Sequence, residues 1–198
     1  MKKIIASLFL VALAAGAGEQ KIAPAGKALG VPTAPITLEV FSDYQCPSCK
    51  VLYEDTLKPL MADYVSKGKV YMIHRDFPLA MHPHAREAAI YANASLRVDR
   101  YEQVCAALFR RQAAWAADGK IDDAVATVLN AAEMTKVRAL IKDPQMSLEM
   151  EQDIALGAKA KIRQTPTMIF THKDRVYPVT GSVNYTILRK FIDDLLSK

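Results

Sequence analysis

Cysteine is scarce in this chain. The 198 residues hold three, Cys46, Cys49 and Cys105. That is too few for a disulfide-stapled framework, and an odd number leaves one thiol over. Basic runs and basic–aromatic stripes are also missing. The net charge of +5 falls to about +3 once Lys2 and Lys3 are set aside, which gives no footing for nucleic-acid binding. A four-ligand zinc set is lacking too. Cys105 and four histidines are all that could join the Cys46/Cys49 pair, and His82-Pro83-His84 has one intervening residue where zinc spacings use three to five. No internal repeat is visible. With 51% hydrophobic and 24% charged residues, the composition is that of a globular chain able to bury one sizeable core, or one domain carrying an insertion.

What is present centres on Cys46-Pro47-Ser48-Cys49. An apolar β-type run, Ile36-Thr37-Leu38-Glu39-Val40-Phe41, leads into it, and a helical pattern leaves it. The two cysteines therefore sit about one turn apart where a strand hands over to a helix. Free N–H groups and the macrodipole at a helix N-terminus favour an anion. A thiolate on Cys46 is such an anion, so its pKa should fall and Cys46 becomes the nucleophile. Cys49 can then attack a mixed disulfide on Cys46 and close the ring. Half a zinc site and two idle cysteines are the competing readings, and the strand–turn–helix context favours redox chemistry.

Along the chain, Met1-Lys2-Lys3 is a short basic start and Ile4 to Ala15 an apolar segment, with small residues at Ala15-Gly16-Ala17. This is the pattern of an export signal cleaved after Ala17, which would place the mature protein in the periplasm or outside the cell. An uncleaved anchor is the alternative, but the segment is short of the roughly 20 residues a span needs. Gly18 to Pro35 is rich in Ala, Gly and Pro and reads as a tether or a loosely docked arm. Ile36–Phe41 is a buried central strand, with Glu39 expected as a strand-end or edge-facing carboxylate. A helical pattern runs from Cys46 to about Lys67, where Pro59 should kink or break it and Gly68 stops it. Val70 to Arg75 is a second strand.

Helical patterns then occupy Ala85 to Ser95, Tyr101 to Trp115, Asp122 to about Met134 and Gln145 to Lys159. The β pattern restarts at Ile162–Phe170. His172-Lys173-Asp174-Arg175 reads as a hairpin turn, and Pro178 in the returning strand marks a sheet edge. Tyr185 to Leu196 is a closing amphipathic helix. Cys105 is expected to be a small buried thiol, His82 and His84 solvated surface with no metal, and Trp115 core.

This order of elements resembles the thioredoxin fold in its DsbA-like form, an α/β fold with an inserted all-helical subdomain. The resemblance covers residues 34–198, with the thioredoxin core at about 34–82 and 158–198 and the insertion at about 83–157. Phe41-Ser42-Asp43-Tyr44-Gln45-Cys46-Pro47-Ser48-Cys49, Arg75-Asp76-Phe77-Pro78-Leu79 and Thr165-Pro166-Thr167 are each similar to segments of that family. The resemblance implies a cis Pro166 packed beside the cysteines and a Thr165 backbone that pairs with substrate peptide. A Thr-Pro bond adopts the cis form at small cost, and backbone pairing binds peptides with little sequence preference. Two departures stand out. Relatives place a buried acid six residues before the first cysteine, where this chain has Val40. The Pro47-Ser48 dipeptide lacks the His of the strong oxidants, which should stabilise the thiolate less.

The expected activity is thiol–disulfide exchange by an exported monomer, with no cofactor beyond the redox-active Cys46–Cys49 disulfide. Its expected substrates are reduced or unfolded exported proteins, and the resemblance implies a membrane quinone-linked reoxidase of the DsbB or vitamin K epoxide reductase type. A reductase remains open. So does a metal-binding or chaperone module on the same fold. An isomerase is not expected, because the residues before Pro35 are too few for the added dimerisation domain of such enzymes.

Overall fold

The computed structural model describes residues 26–198; the expected export signal and residues 18–25 lie outside them. Strand β2 (Ile36–Ser42) is the axis of a five-stranded sheet in the order β1 (Ala28–Leu29), β3 (Val70–Asp76), β2, β4 (Thr167–His172), β5 (Arg175–Thr180). It runs parallel to β3 (Val70–Asp76), from Ile36 against Val70 to Ser42 against Asp76. On its other side it runs antiparallel to β4 (Thr167–His172), with Val40 against Met168. β4 turns into β5 (Arg175–Thr180) through Lys173 and Asp174, both at positive φ (45° and 62°), the backbone a two-residue hairpin needs. β5 is an edge strand and tolerates Pro178 there, as the sequence indicated.

Period-two alternation divides the sheet into two faces. Leu38, Val40, Met168 and Phe170 point to one, where they pack with Leu52, Leu57, Leu60, Leu188 and Ile192. The helices over this face are α1 (Pro47–Leu52), α2 (Lys58–Leu60) and α9 (Tyr185–Leu196). Pro59 does not break the helix that α1 begins. Two π-helical stretches, Tyr53–Leu57 and Met61–Val65, flank α2 and carry the coil through. At Lys58 the N–H reaches back to Tyr53 O, a five-residue step that widens the coil next to the proline, which has no N–H of its own to satisfy.

The helical insertion comprises α3 (Ala85–Ser95), α4 (Tyr101–Arg110), α5 (Gln112–Asp118), α6 (Ile121–Val125), α7 (Ala131–Leu140) and α8 (Pro144–Lys159). Two of the expected helices are each divided. The Tyr101–Trp115 run turns at Arg111, and the Asp122–Met134 run stops at Val125 and restarts after Asn130. Asn130 and Glu133 form a reciprocal capping box (2.8 and 2.9 Å) that fixes the new N-terminus, although the apolar spacing continues across it. Trp115 is buried in the insertion core with Leu108, Phe109 and Val125. α8 approaches the sheet closely at Gly157, where a Cβ would fall 2.5 Å from the Phe77 ring.

Two further expectations are corrected. The end of the N-terminal arm is not loosely docked. Ala28–Leu29 forms β1, antiparallel to β3, and Lys27 is fully buried beside it. The open edge of β3 needs a partner strand, and buried carboxylates need the Lys27 cation. Glu39 is not at a strand end or edge either. It lies mid-way along the central strand and accepts from Arg75 Nε and Nη2 at 3.0 and 2.8 Å. Arg75 also bonds Asp153 of α8 (3.0 Å), and Lys27 bonds Asp153 (2.9 Å) and Asp76. The Asp76 N–H completes the cluster on Asp153 Oδ2 at 3.1 Å. Burial alone would lower the Lys27 pKa, but Asp76 and Asp153 raise it overall, so Lys27 stays charged.

This cluster joins the arm, β2, β3 and α8 in a water-poor place, where removing one partner strands the others. Asp153→Ala should cost about 3–5 kcal/mol in urea unfolding. Lys58→Ala, which breaks an exposed pair with Glu54, should cost under about 1 kcal/mol.

Candidate active site

Cys46 is the residue at which extended backbone becomes helix. Its φ and ψ are −74° and 121°, and Pro47 opens α1 with its preset φ. The sulfur faces the first turn, where the Ser48 and Cys49 N–H groups point toward it. From across the site, Thr165 O lies 3.5 Å away, and the Thr165 hydroxyl, buried with no other partner among the described residues, also faces the sulfur. The Thr165–Pro166 bond is cis. Pro166 O accepts from Gly181 N (2.8 Å), and the Ser182 hydroxyl donates to Ser48 O (2.8 Å), which ties the β5–α9 connection to the Pro47-Ser48 dipeptide.

Both sulfurs are free thiols, and they are not equivalent. Cys46 is 7% exposed and Cys49 1%. The hydrogen bond from the Cys49 thiol is the largest effect on Cys46. Together with the N–H groups and the Thr165 hydroxyl it outweighs burial and lowers the Cys46 pKa to about 5. Burial, followed by the hydrogen bond and charge of Cys46, pushes Cys49 far above the ordinary thiol range. One proton shared between two sulfurs thus settles on the inner one.

The loop before Cys46 is held by the side chains of Asp43, His82 and Gln112. The buried Asp43 carboxylate accepts from Gln45 N (2.7 Å), Leu79 N (2.8 Å) and His82 Nδ1 (2.7 Å). Gln112 Nε2 donates to both Tyr44 O (2.7 Å) and Cys46 O (3.0 Å). His82 is therefore not solvated surface as expected, because Asp43 draws it against the active-site loop. The His84 backbone N–H bonds the Gln45 side chain. The one legible sign of this lock was an acid three residues ahead of the first cysteine; nothing in the sequence pointed to Gln112.

Cys105 is buried. Burial pushes its thiol up to about 12, against hydrogen bonds from Tyr44 (2.9 Å between Oη and Sγ) and Tyr101. Val40 packs in the apolar core beneath the helix, while Glu39, one residue away, faces the opposite side of the sheet.

A thiolate at Cys46 makes the reduced protein more stable than one with an ordinary thiol. Its pKa is depressed, from the ordinary thiol value of 9.0 to about 5, so this gain is complete above the unfolded value and is lost as pH falls through about 5. Thermal unfolding of the reduced and oxidised forms should show the reduced form gaining from pH 5 upward. Iodoacetamide labelling of Cys46 should titrate with a midpoint near 5.

The sequence profile described as Thioredoxin matches residues 23–194. Disulfide bond formation protein D of Bacillus subtilis (strain 168) is 30% identical over 154 residues, which is 73% of this chain and 67% of that protein. Among solved structures, alpha-DsbA1 of Wolbachia pipientis superposes with a TM-score of 0.73 at 22% identity, covering 87% of this chain and 91% of its own. Oxidised BdbD of Bacillus subtilis gives 0.71 at 24% identity, covering 87% and 94%. The strand–CxxC–helix junction, the cis-proline facing it and the helical insertion fit these relationships, and the chain belongs to the thioredoxin family, as a DsbA-like thiol–disulfide oxidoreductase.

Proposed function

We propose that this enzyme is exported and works as a net oxidant, passing the Cys46–Cys49 disulfide to reduced or unfolded proteins outside the cytoplasm. The observation that carries the direction is the position of the Cys46 sulfur in the first turn of α1, with its pKa lowered to about 5. Whatever stabilises a thiolate stabilises the reduced enzyme, and so makes its disulfide easier to reduce. Nucleophile pKa values of about 7 in thioredoxin and about 3.5 in DsbA bracket this one. The potential should lie between theirs, about −270 and −120 mV.

In this reading Cys46 is the nucleophile and Cys49 the resolving partner. The substrate thiolate attacks the Cys46 sulfur, Cys49 leaves, and a second substrate thiolate then releases Cys46. The Thr165 backbone, on the cis-proline loop 3.5 Å from Cys46, supplies pairing for an extended peptide. Pro47 and Ser48 tune the thiolate. No dissociable cofactor takes part, and electrons pass on to a membrane quinone-linked partner of the DsbB or vitamin K epoxide reductase type. Residues 1–17 are the cleaved signal. Among the described residues, no helix is long and apolar enough to cross a membrane.

Equilibrating the enzyme with glutathione tests the direction. A potential between the two reference values supports an oxidant; a value at or below that of thioredoxin makes the protein a reductase. Ser48→His should lower the Cys46 pKa and raise the potential. Cys49→Ala should accumulate mixed disulfides with substrate proteins and Cys46→Ala should not; the reverse would exchange their roles. N-terminal sequencing of the exported protein should begin near Gly18, whereas an intact chain held in the membrane would make residues 4–15 an anchor.

A further inference from the structure

Each exchange step at Cys46 has a proton to place at Cys49. Cys49 is 1% exposed, and burial pushes its thiol far above the ordinary range, so a proton delivered to its sulfur helps it leave a disulfide. Two groups from the end of β2 touch this sulfur. One is the Asp43 N–H, at 3.4 Å, and the other is the Ser42 hydroxyl. An amide keeps its proton through the reaction. A hydroxyl can give one up and take another.

Ser42 is buried, and its register partner on the neighbouring parallel strand is Asp76. Register partners share a face, so Val40, Ser42, His74 and Asp76 all lie on the side that α1 covers. The Phe77 N–H bonds Ser42 O at 2.8 Å and holds the two strand ends together. Asp76 is buried as well. Its Oδ2 is committed to Lys27, and its Oδ1 has no hydrogen-bond partner among the described residues. The remaining charged or titratable groups around it are Asp153 from α8, Arg75 and His74 from β3, Tyr44 from the active-site loop, and Tyr101 and Cys105 from α4. His74 Nε2 is likewise buried without a hydrogen-bond partner, 3.9 Å from Asp76 Oδ1, and burial lowers the His74 pKa to about 4, so it stands there neutral.

We propose that the Ser42 hydroxyl is the proton relay for Cys49 and exchanges with the Asp76 carboxylate on the next strand. The proposal rests on the thiol-exchange reading and adds residues to it. When a substrate thiolate attacks Cys46, the Cys46–Cys49 bond breaks and the substrate–Cys46 bond forms. Cys49 leaves with the electron pair and takes the Ser42 proton; Ser42 takes in turn a proton carried on Asp76 Oδ1, and solvent is the source of the one proton the step consumes. In the reverse step Cys49 gives its proton to Ser42, Ser42 passes one to Asp76 Oδ1 and so to solvent, and the Cys49 sulfur displaces the substrate thiolate. Val40, on the same face of the central strand and packed in the apolar core beneath α1, can do none of this.

The test is single-turnover reduction of the full-length oxidised enzyme by glutathione, followed over about pH 5 to 8 in H2O and in D2O. Ser42→Ala should slow the step about tenfold or more and abolish its solvent isotope effect. Ser42→Thr should restore most of both. Asp76→Asn should also slow the step, and the double variant should be no slower than Ser42→Ala alone. The titration midpoint of Cys46 should stay put in every variant, because none of these groups bonds its sulfur. A Ser42→Ala enzyme with wild-type rate and isotope effect would overturn the relay, and so would losses that multiply in the double variant. If Asp76→Asn does not fold, the contrast between Ser42→Ala and Ser42→Thr decides. Failure of the wild-type enzyme to exchange with glutathione at all would instead remove the thiol-exchange reading and the relay with it.

Discussion

A negative charge on the Cys46 sulfur has to be held by groups that are already in place before it forms. Mobile groups would have to be ordered at each turnover, and water could stabilise the charge without creating any difference between the two cysteines. The fold supplies fixed donors instead. The first-turn N–H groups of α1 are pinned because Pro47 begins the helix and the apolar core of β2, β4 and α9 holds its underside. The inner thiol is pinned by Asp43 N–H and Ser42 at the end of the central strand. The cis Thr165–Pro166 loop closes the opposite side. The redox chemistry of the pair is in this sense a property of where one strand ends and one helix begins.

That junction was legible because it is local. A strand pattern, a turn and a helix pattern meet within a dozen residues, and each has a periodicity that a sequence displays. The hairpin at His172–Arg175, the edge proline and the closing helix were legible for the same reason. The arm was not, because a short Ala-, Gly- and Pro-rich segment has no periodicity and Lys27 looks like any surface lysine. Its burial follows from Asp76 and Asp153, neither of which is near it in sequence. Glu39 was misplaced in the same way, since its partner Arg75 lies 36 residues on. The divided helices failed for a different reason. Apolar spacing at Asp122–Met134 carries on through a real break, and only the Asn130/Glu133 pair signals it.

The insertion does more than cover the site. Gln112, at the start of α5, spans the two carbonyls on either side of Gln45, and Gln45 in turn bonds Ala116 O and His84 N. The loop carrying the nucleophile is therefore a surface shared by two substructures. Asp43 and His82 add a third attachment, from the segment that follows β3. The backbone around Cys46 is fixed from the helical side as firmly as from the sheet.

The buried Lys27 has a bearing on the order in which the molecule can assemble. A ribosome delivers Lys27 early, and its partner Asp153 follows 126 residues later. Until α8 arrives, the arm has no complete set of counter-charges, and a bare ammonium in the interior is too costly to bury. β1 therefore has its full set of counter-charges only once α8 is in place. The first described stretch of the chain is thus tied, through one buried charge, to a helix near the far end of the sequence, and the sheet edge it covers depends on both.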